Sequence, residues 1–456
     1  MSPAPWKKLI EGGRAAAGAN RRLLTNAGSM VGTALATSAF GVGFWLVAAH
    51  SFSQSAVGIA GAAVSAMTLL GFMATLGLGT LLMGELPRRE GGRRSLLNAA
   101  LLVTGAFGAA LGLAFALTAP LLSSNLGALD ATMASAAFFA AGAGLTALAL
   151  VLDQALIGML RGGLQLARNV VFAVVKLIAL IAVAVLVAEA GPEWVYSAWA
   201  AGIALSLLVL ARFYMRRQGD PLRPNFRELR EMRGPAASHA AVNLGLETAD
   251  LAMPILVLMI VSASANASFY IAWMVTNILI MVPLSLSMVA YAMGSGDPRR
   301  TAERFRFTLW VSLGFAVIAN LVLIPAASPL LGIFGQSYSD QATGPLHIMA
   351  LGVFPLTVKT HYVAVHRMRR TLGTALPIVW GGTLLELGGG AVGALLGGIS
   401  GAAWGWLAGL CVEALVMGRS VVRAASKEAD EDLPPAGPQA ELEAVAAFDA
   451  ATLERF

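Results

Sequence analysis

Long stretches in which nearly every position is apolar recur along the chain, separated by short polar segments. Twelve can be marked, at 23–47, 56–84, 96–118, 132–160, 170–190, 196–215, 236–261, 267–293, 306–325, 342–365, 373–397 and 401–418. Apolar residues on all sides of a helix mark it as surrounded by other helices or by lipid. At 1.5 Å per residue, about twenty residues cross a hydrocarbon core about 30 Å thick. A helix pairs all its backbone polar groups internally, as lipid demands. The pattern therefore predicts an all-α integral membrane protein with twelve transmembrane helices. The longest connection, 216–235, divides them six and six.

The two sets of six look related. ELPRR at 85–89 matches GDPRR at 296–300 with an offset of 211, at which Ala56 meets Ala267 and Val64 meets Val275 without gaps. An even number of crossings gives both halves the same orientation, which predicts two pseudo-symmetric six-helix lobes around an axis along the membrane normal. The expected organisation is a basic leader at 1–22, an N-lobe at 23–215, a linker at 216–235, a C-lobe at 236–418 and an acidic, disordered tail at 419–456.

Charge orients this arrangement. Twenty-nine of the 31 Lys and Arg fall on alternate connections and at the two ends, and the intervening connections carry none. Cytoplasmic loops retain Lys and Arg, so a multi-pass protein of the inner (cytoplasmic) membrane with both termini cytoplasmic is expected. Only 12% of residues are charged, against about 25% in soluble proteins. The net charge of +6 is spread over short loops without interleaved aromatics, so no nucleic-acid partner is expected. A single cysteine, Cys411, excludes a multi-cysteine metal site. There is no P-loop, HExxH or GxSxG, and the connections without Lys or Arg are too short for an external catalytic domain. No cofactor, metal or enzymatic activity is expected, which leaves a membrane glycan polymerase or ligase as a minor alternative.

Ionisable residues inside apolar spans are functional candidates, because each costs about 2.5–3.5 kcal/mol to place at the bilayer centre. Asn243, Glu247 and Asp250 follow one another at spacings of four and three, on one face of a helix. They could bind a cation, a proton or sugar hydroxyls, or lock two helices together. Asp153 and Gln154 share a depth with Lys176, so an Asp153–Lys176 ion pair between neighbouring helices competes with a cavity-facing Lys176. Lys359, Tyr362 and His366 also share a face. His361, Asn277, Asn320 and Glu386 are weaker candidates, and Glu413 sits near a span end, where it is expected to reach water. Glycines every four residues from Gly393 to Gly409, and LGLGT at 76–80, predict close packing or bending.

Several segments in order, NRRLLTNAGSM, the run ending LGLGTLLMGELPRR, LDQALIGMLRGGLQLARN, ASFYIAWMVTNILIMVPLSLSMVAYA and LLGIFGQSYSD, resemble Wzx-type polysaccharide (O-antigen) flippases over about 23–420. These belong to the multidrug/oligosaccharidyl-lipid/polysaccharide exporter superfamily. The resemblance implies a V of two lobes around a cavity. It also implies translocation of an undecaprenyl-diphosphate-linked oligosaccharide for cell-surface polysaccharide such as lipopolysaccharide, coupled to H⁺ or Na⁺. Its partners would be the lipid-linked oligosaccharide, membrane lipids and glycan-assembly proteins. On that reading Lys176, Lys359, Arg161 and Arg367 meet the phosphates, Asn243 and Tyr362 complete the substrate site, and Glu247 and Asp250 couple the ion. The rival reading is a drug/cation antiporter of the same superfamily.

Overall fold

A computed structural model of the chain describes residues 38–426 apart from 90, 130–131, 160, 188, 216–222, 232, 294–297 and 370. Among them all regular structure is helical. The elements are α1 (38–51), α2 (Gln54–Ala74), α3 (Leu78–Glu85), α4 (Arg93–Leu122), α5 (Met133–Gly158), α6 (Gly162–Leu186), α7 (Pro192–Met215), α8 (Phe226–Glu231), α9 (Arg233–Ile260), α10 (Ala263–Met293), α11 (Pro298–Gly332), α12 (Gln336–Leu351), α13 (Val353–Met368) and α14 (Leu372–Ala425). Among the described residues nine helices are long and apolar enough to cross a membrane, or ten if α12 and α13, bent by 41°, form one span. The leader, most of the first expected span and the acidic tail lie outside the described residues.

Several expected boundaries move. The stretch 56–84 is two helices. The backbone turns through Leu76 (φ 50°) and Gly77 (φ 73°), within the LGLGT segment, and only glycine adopts such angles without strain. The connection without Lys or Arg expected at 326–342 is almost entirely helical, since α11 runs to Gly332 and α12 starts at Gln336. Gly335, at φ 131°, makes the turn between them.

α14 has 54 residues, about 80 Å of helix at 1.5 Å per residue, far more than one crossing. It doubles back at Gly397 and Gly398, where φ/ψ leave the helical region. Its arms, 372–396 and 399–425, touch backbone to backbone. A Cβ on Gly393 would lie 1.9 Å from the Gly401 carbonyl oxygen, and one on Gly405 1.8 Å from that of Gly389. The glycine repeat thus joins two antiparallel arms. Cys411, in the second arm, is exposed.

The helices α2–α7 pack with one another, as do α9–α14, and the two groups meet mainly where α2 lies against α10 and α9. Polar bonds between the groups gather at the charge-poor ends of these helices. Asn266 Nδ2 donates to the Gly58 carbonyl (2.7 Å), Gln54 Nε2 to Ser268 Oγ (2.8 Å), and Asn125 Nδ2 to the Leu258 carbonyl (2.9 Å). Nearby, the Trp45 and Tyr270 rings pack at 4.6 Å. At the opposite, basic end, the short helix α8 docks on the first group. Leu229 is buried among Leu82, Leu86 and Leu96, Arg89 pairs with Glu228 at 2.7 Å, and Ser95 Oγ donates to the Arg223 carbonyl at 2.5 Å.

Candidate functional site

A cavity opens between α9, α10, α13 and α14, lined by Glu247, Asp250, Trp273, Ser287, Met288, Lys359, Arg367, Glu386 and Trp406 among others. The face of α9 that carries Asn243, Glu247 and Asp250 is the one turned towards it. α9 is held in that rotation by α14, whose Thr383 Oγ1 donates to the Gly245 carbonyl (2.6 Å) and whose Trp380 Nε1 donates to the Ala241 carbonyl (3.1 Å). On the α10 side Trp273 Nε1 donates to the Asp250 carbonyl at 3.1 Å. Towards the basic end, Arg367 donates from Nη2 to Asn243 Oδ1 at 3.1 Å and lies 3.3 Å from Met288 Sδ. Trp273 and Trp406 meet edge to face, 4.7 Å between centroids. Both signs of charge, amide and indole donors, and flat aromatic surface therefore converge in an apolar bundle, as expected of a ligand site.

Lys359, expected to meet the phosphates of a substrate, is paired within the protein. Its ammonium lies 2.5 Å from Glu386 Oε1 and 3.2 Å from Glu413 Oε2, and the three residues are 4%, 2% and 2% exposed. Trp406 Nε1 donates to the other Glu386 oxygen at 2.9 Å. Glu413, expected to reach water, is instead buried at this junction of α13 with both arms of α14. Gly382 makes the room, since a Cβ there would stand 2.1 Å from Glu413 Oε1. Sequence reasoning underrated both glutamates because the fold-back that joins them is a long-range feature. The signal lay in the glycine repeat: with the turn placed at Gly397 and Gly398, Glu413 falls opposite Gly382, one turn from Glu386. Tyr362, predicted to touch substrate, is buried in the adjoining apolar cluster, its ring 4.4 Å from that of His366.

The other candidates lie in the first helical group. The expected Asp153–Lys176 pair is corrected: Asp153 pairs with Arg168, at 2.6 Å to Nη2, and both are buried. Arg168, counted by sequence as a loop cation, also donates to Asn169 Oδ1. Its long side chain reaches inward from the start of α6 to the acid's depth. Lys176, 1% exposed, stands over aromatic rings, with Nζ 3.7 Å from the Trp199 centroid and 4.6 Å from that of Phe172. A cation over such faces is stabilised by the ring quadrupole. Gln154 accepts weakly from Thr80 Oγ1 at 3.4 Å, and Arg161 is half-buried at the start of α6. None of these four lines the cavity described above. Replacing Arg168 by Met strands Asp153, and breaking a buried pair from one side costs about 3–5 kcal/mol. The expected result is a clear loss of thermal stability in detergent, largely restored in the Asp153→Asn/Arg168→Met double variant. Equal melting of the wild type and Arg168→Met would sink this assignment.

By sequence, the MatE family model matches residues 240–374, a segment that includes Asn243, Glu247, Asp250, Lys359 and Arg367. No curated relative matches the chain. Several solved structures share its fold. An inward-facing multidrug resistance MATE family transporter of the MOP superfamily is 14% identical, with a TM-score of 0.66 over 86% of this chain and 95% of that one. A MOP superfamily transporter from Pyrococcus furiosus, described as having a binding pocket of reverse polarity, is 14% identical with a TM-score of 0.58, over 87% and 94%. The lipid II flippase MurJ, in an inward closed conformation, is 12% identical with a TM-score of 0.60, over 87% and 89%. The matched segment and the shared fold together make this chain a multi-pass, all-helical membrane protein of the MATE-like fold.

Proposed function

We propose that the protein exports a lipid-linked oligosaccharide of the undecaprenyl-diphosphate class across the cytoplasmic membrane, for cell-surface polysaccharide, by alternating access coupled to an ion gradient. The observation that carries this reading is the mixed lining of the second-half cavity: Glu247, Asp250 and Glu386 with Lys359, Arg367 and two tryptophans. Carboxylates accept hydrogen bonds from sugar hydroxyls, and guanidinium groups pair with phosphate oxygens. In this reading α14 supplies two crossings and α12–α13 one. With the first span these give twelve, arranged as an N-lobe and a C-lobe with both termini cytoplasmic. The basic helix ends then face the cytoplasm. The bonds from α2 to α10 and from Asn125 to α9 close the outer side.

Arg367, braced by Asn243, takes a phosphate at the cytoplasmic mouth, and Arg161 marks the opposite lobe's rim. Lys359 is engaged by two carboxylates and Lys176 by aromatic rings, so neither is a standing phosphate clamp. Glu247 and Asp250 face the cavity as the acids met by the coupling cation, and the isoprenoid chain stays in lipid between the lobes. Carboxylates outnumber cations in the cavity lining, which favours a drug/cation antiporter as the second reading.

A deletion strain separates the two readings. Loss of surface polysaccharide, restored by the wild-type gene, supports the flippase. Intact polysaccharide with heightened sensitivity to cationic dyes supports the antiporter. In proteoliposomes, Asp250→Asn is expected to move cargo at a rate indifferent to an imposed ion gradient, because a ligand drives a conformational equilibrium only through its differential affinity for the two states. Transport by that variant that still follows the gradient excludes Asp250 from coupling.

A further inference from the structure

We propose that α8 and the turn between α3 and α4 form a docking site for the headgroup of an anionic phospholipid of the surrounding bilayer. None of the residues involved lines the cavity between α9, α10, α13 and α14, so the site is separate from the one described above and independent of the cargo.

The segments 85–94 and 223–231 together hold seven arginines against four glutamates, and the fold brings these distant segments to one edge. Arg89 Nη1 donates to Glu228 Oε2 at 2.7 Å, which draws the neighbouring Arg88 and Arg227 to the same place. The Asn225 backbone N–H donates to the Ser95 carbonyl at 3.2 Å, and Ser95 Oγ to the Arg223 carbonyl at 2.5 Å, which sets Arg223 close to Arg94. Arg93 secures the turn itself, donating from Nε to the Arg89 carbonyl (2.6 Å) and from Nη2 to the Pro87 carbonyl (3.3 Å). Arg88, Arg223, Arg227 and Arg230 are exposed. Guanidinium groups match phosphate oxygens with paired N–H donors.

Two observations select a phosphate carried on an apolar tail over a soluble anion. The first is the amphipathic character of α8. Phe226 and Leu229, three residues apart, share one face, and Arg227 and Arg230 share another. Leu229 is 7% exposed among leucines of α3 and α4, whereas Phe226 is 51% exposed, an aromatic ring beside clustered cations. A helix with that division of faces lies in a membrane interface, its ring at the acyl boundary and its cations among headgroups. The second is depth. Leu102, the first large apolar residue exposed on α4, lies eight residues beyond Arg94, about 12 Å along the helix. The hydrocarbon thus begins within reach of the arginine side chains. The Arg89–Glu228 pair is partly exposed, 25% and 39%, and such a pair contributes little by itself. A phosphate bridging α8 to the α3–α4 turn adds the missing hold, so the anionic content of the bilayer sets how firmly α8 is fastened.

Full-length protein in nanodiscs of phosphatidylcholine, with or without phosphatidylglycerol, tests this. Thermal unfolding reports stability, and native mass spectrometry of the released protein counts retained phosphatidylglycerol. The wild type should melt higher with phosphatidylglycerol and retain it. Arg227→Gln/Arg230→Gln should melt like the wild type in phosphatidylcholine, lose the added stability, and bind phosphatidylglycerol on the order of tenfold more weakly. Arg419→Gln/Arg423→Gln removes the same charge from the exposed end of α14 and should change neither readout. If the α8 arginine variant does not fold, Phe226→Ser is the second probe and should also reduce retention. Equal losses from the two arginine pairs, or undiminished retention in Phe226→Ser, overturn the proposal. So does retention of farnesyl diphosphate without phosphatidylglycerol, which would make the site a landing place for cargo.

Discussion

Replacing Lys359 by Met is expected to remove most of the folded protein rather than merely silence it. The ammonium is shared by carboxylates from both arms of α14, and its loss leaves two buried acids side by side. Breaking a buried pair by deleting one partner costs about 3–5 kcal/mol, a large fraction of a typical folding free energy of about 5–15 kcal/mol. The expected result is low membrane levels and early melting. Thermal unfolding of a detergent-solubilised fluorescent fusion measures it. The triple variant Lys359→Met/Glu386→Gln/Glu413→Gln, with no net charge at the junction, should recover most of the stability. A Lys359→Met protein that melts like the wild type would falsify the triad as a structural unit.

The second large effect is expected at Gly405. Any Cβ there meets the Gly389 carbonyl at 1.8 Å, so the arms of α14 must part before alanine fits. Forcing extra atoms into a packed contact costs about 1–3 kcal/mol, and here the displaced arms are those that bring Glu386 to Glu413. Gly405→Ala should therefore lower the melting temperature and disturb the Lys359 junction together. Gly388→Ala is the control, since nothing lies within 4 Å of a Cβ at that position. There alanine should be neutral or slightly stabilising, because it replaces a poor helix former. Identical melting of the two alanine variants would show that the arms do not touch at Gly405.

Much of the fold was legible because lipid imposes simple rules. Long apolar runs marked most of the helices, and the spacing of Asn243, Glu247 and Asp250 placed them on one face. Glu247 and Asp250 of that face line one cavity with Lys359 and Arg367. The interruption of the second span fell where LGLGT had indicated a weak point. What sequence could not supply were contacts set by long-range packing. Arg168 looked like a loop cation until α6 was seen to carry it inward to Asp153. Glu413 looked exposed because its distance from a span end says nothing about which helix lies beside it. Lys176 was read as a cation for the substrate, whereas its ammonium stands over the rings of Phe44, Phe172 and Trp199, an arrangement only the packing of α1, α6 and α7 creates. In each case the residue type was informative, and the partner was decided by tertiary structure.

The docking of α8 bears on how the molecule can move. A slack cord between two rigid bodies would transmit no torque, but this connection is anchored at one end. Leu229 is set among the leucines of α3 and α4, Glu228 is clasped by Arg89, and the Arg223 carbonyl is tied to Ser95. α8 ends at Glu231, and the described part of α9 begins close after it, at Arg233. A swing of α9, and of the acids it bears, therefore pulls on a segment already fastened to α3 and α4, so the linker behaves as a tiller rather than a leash.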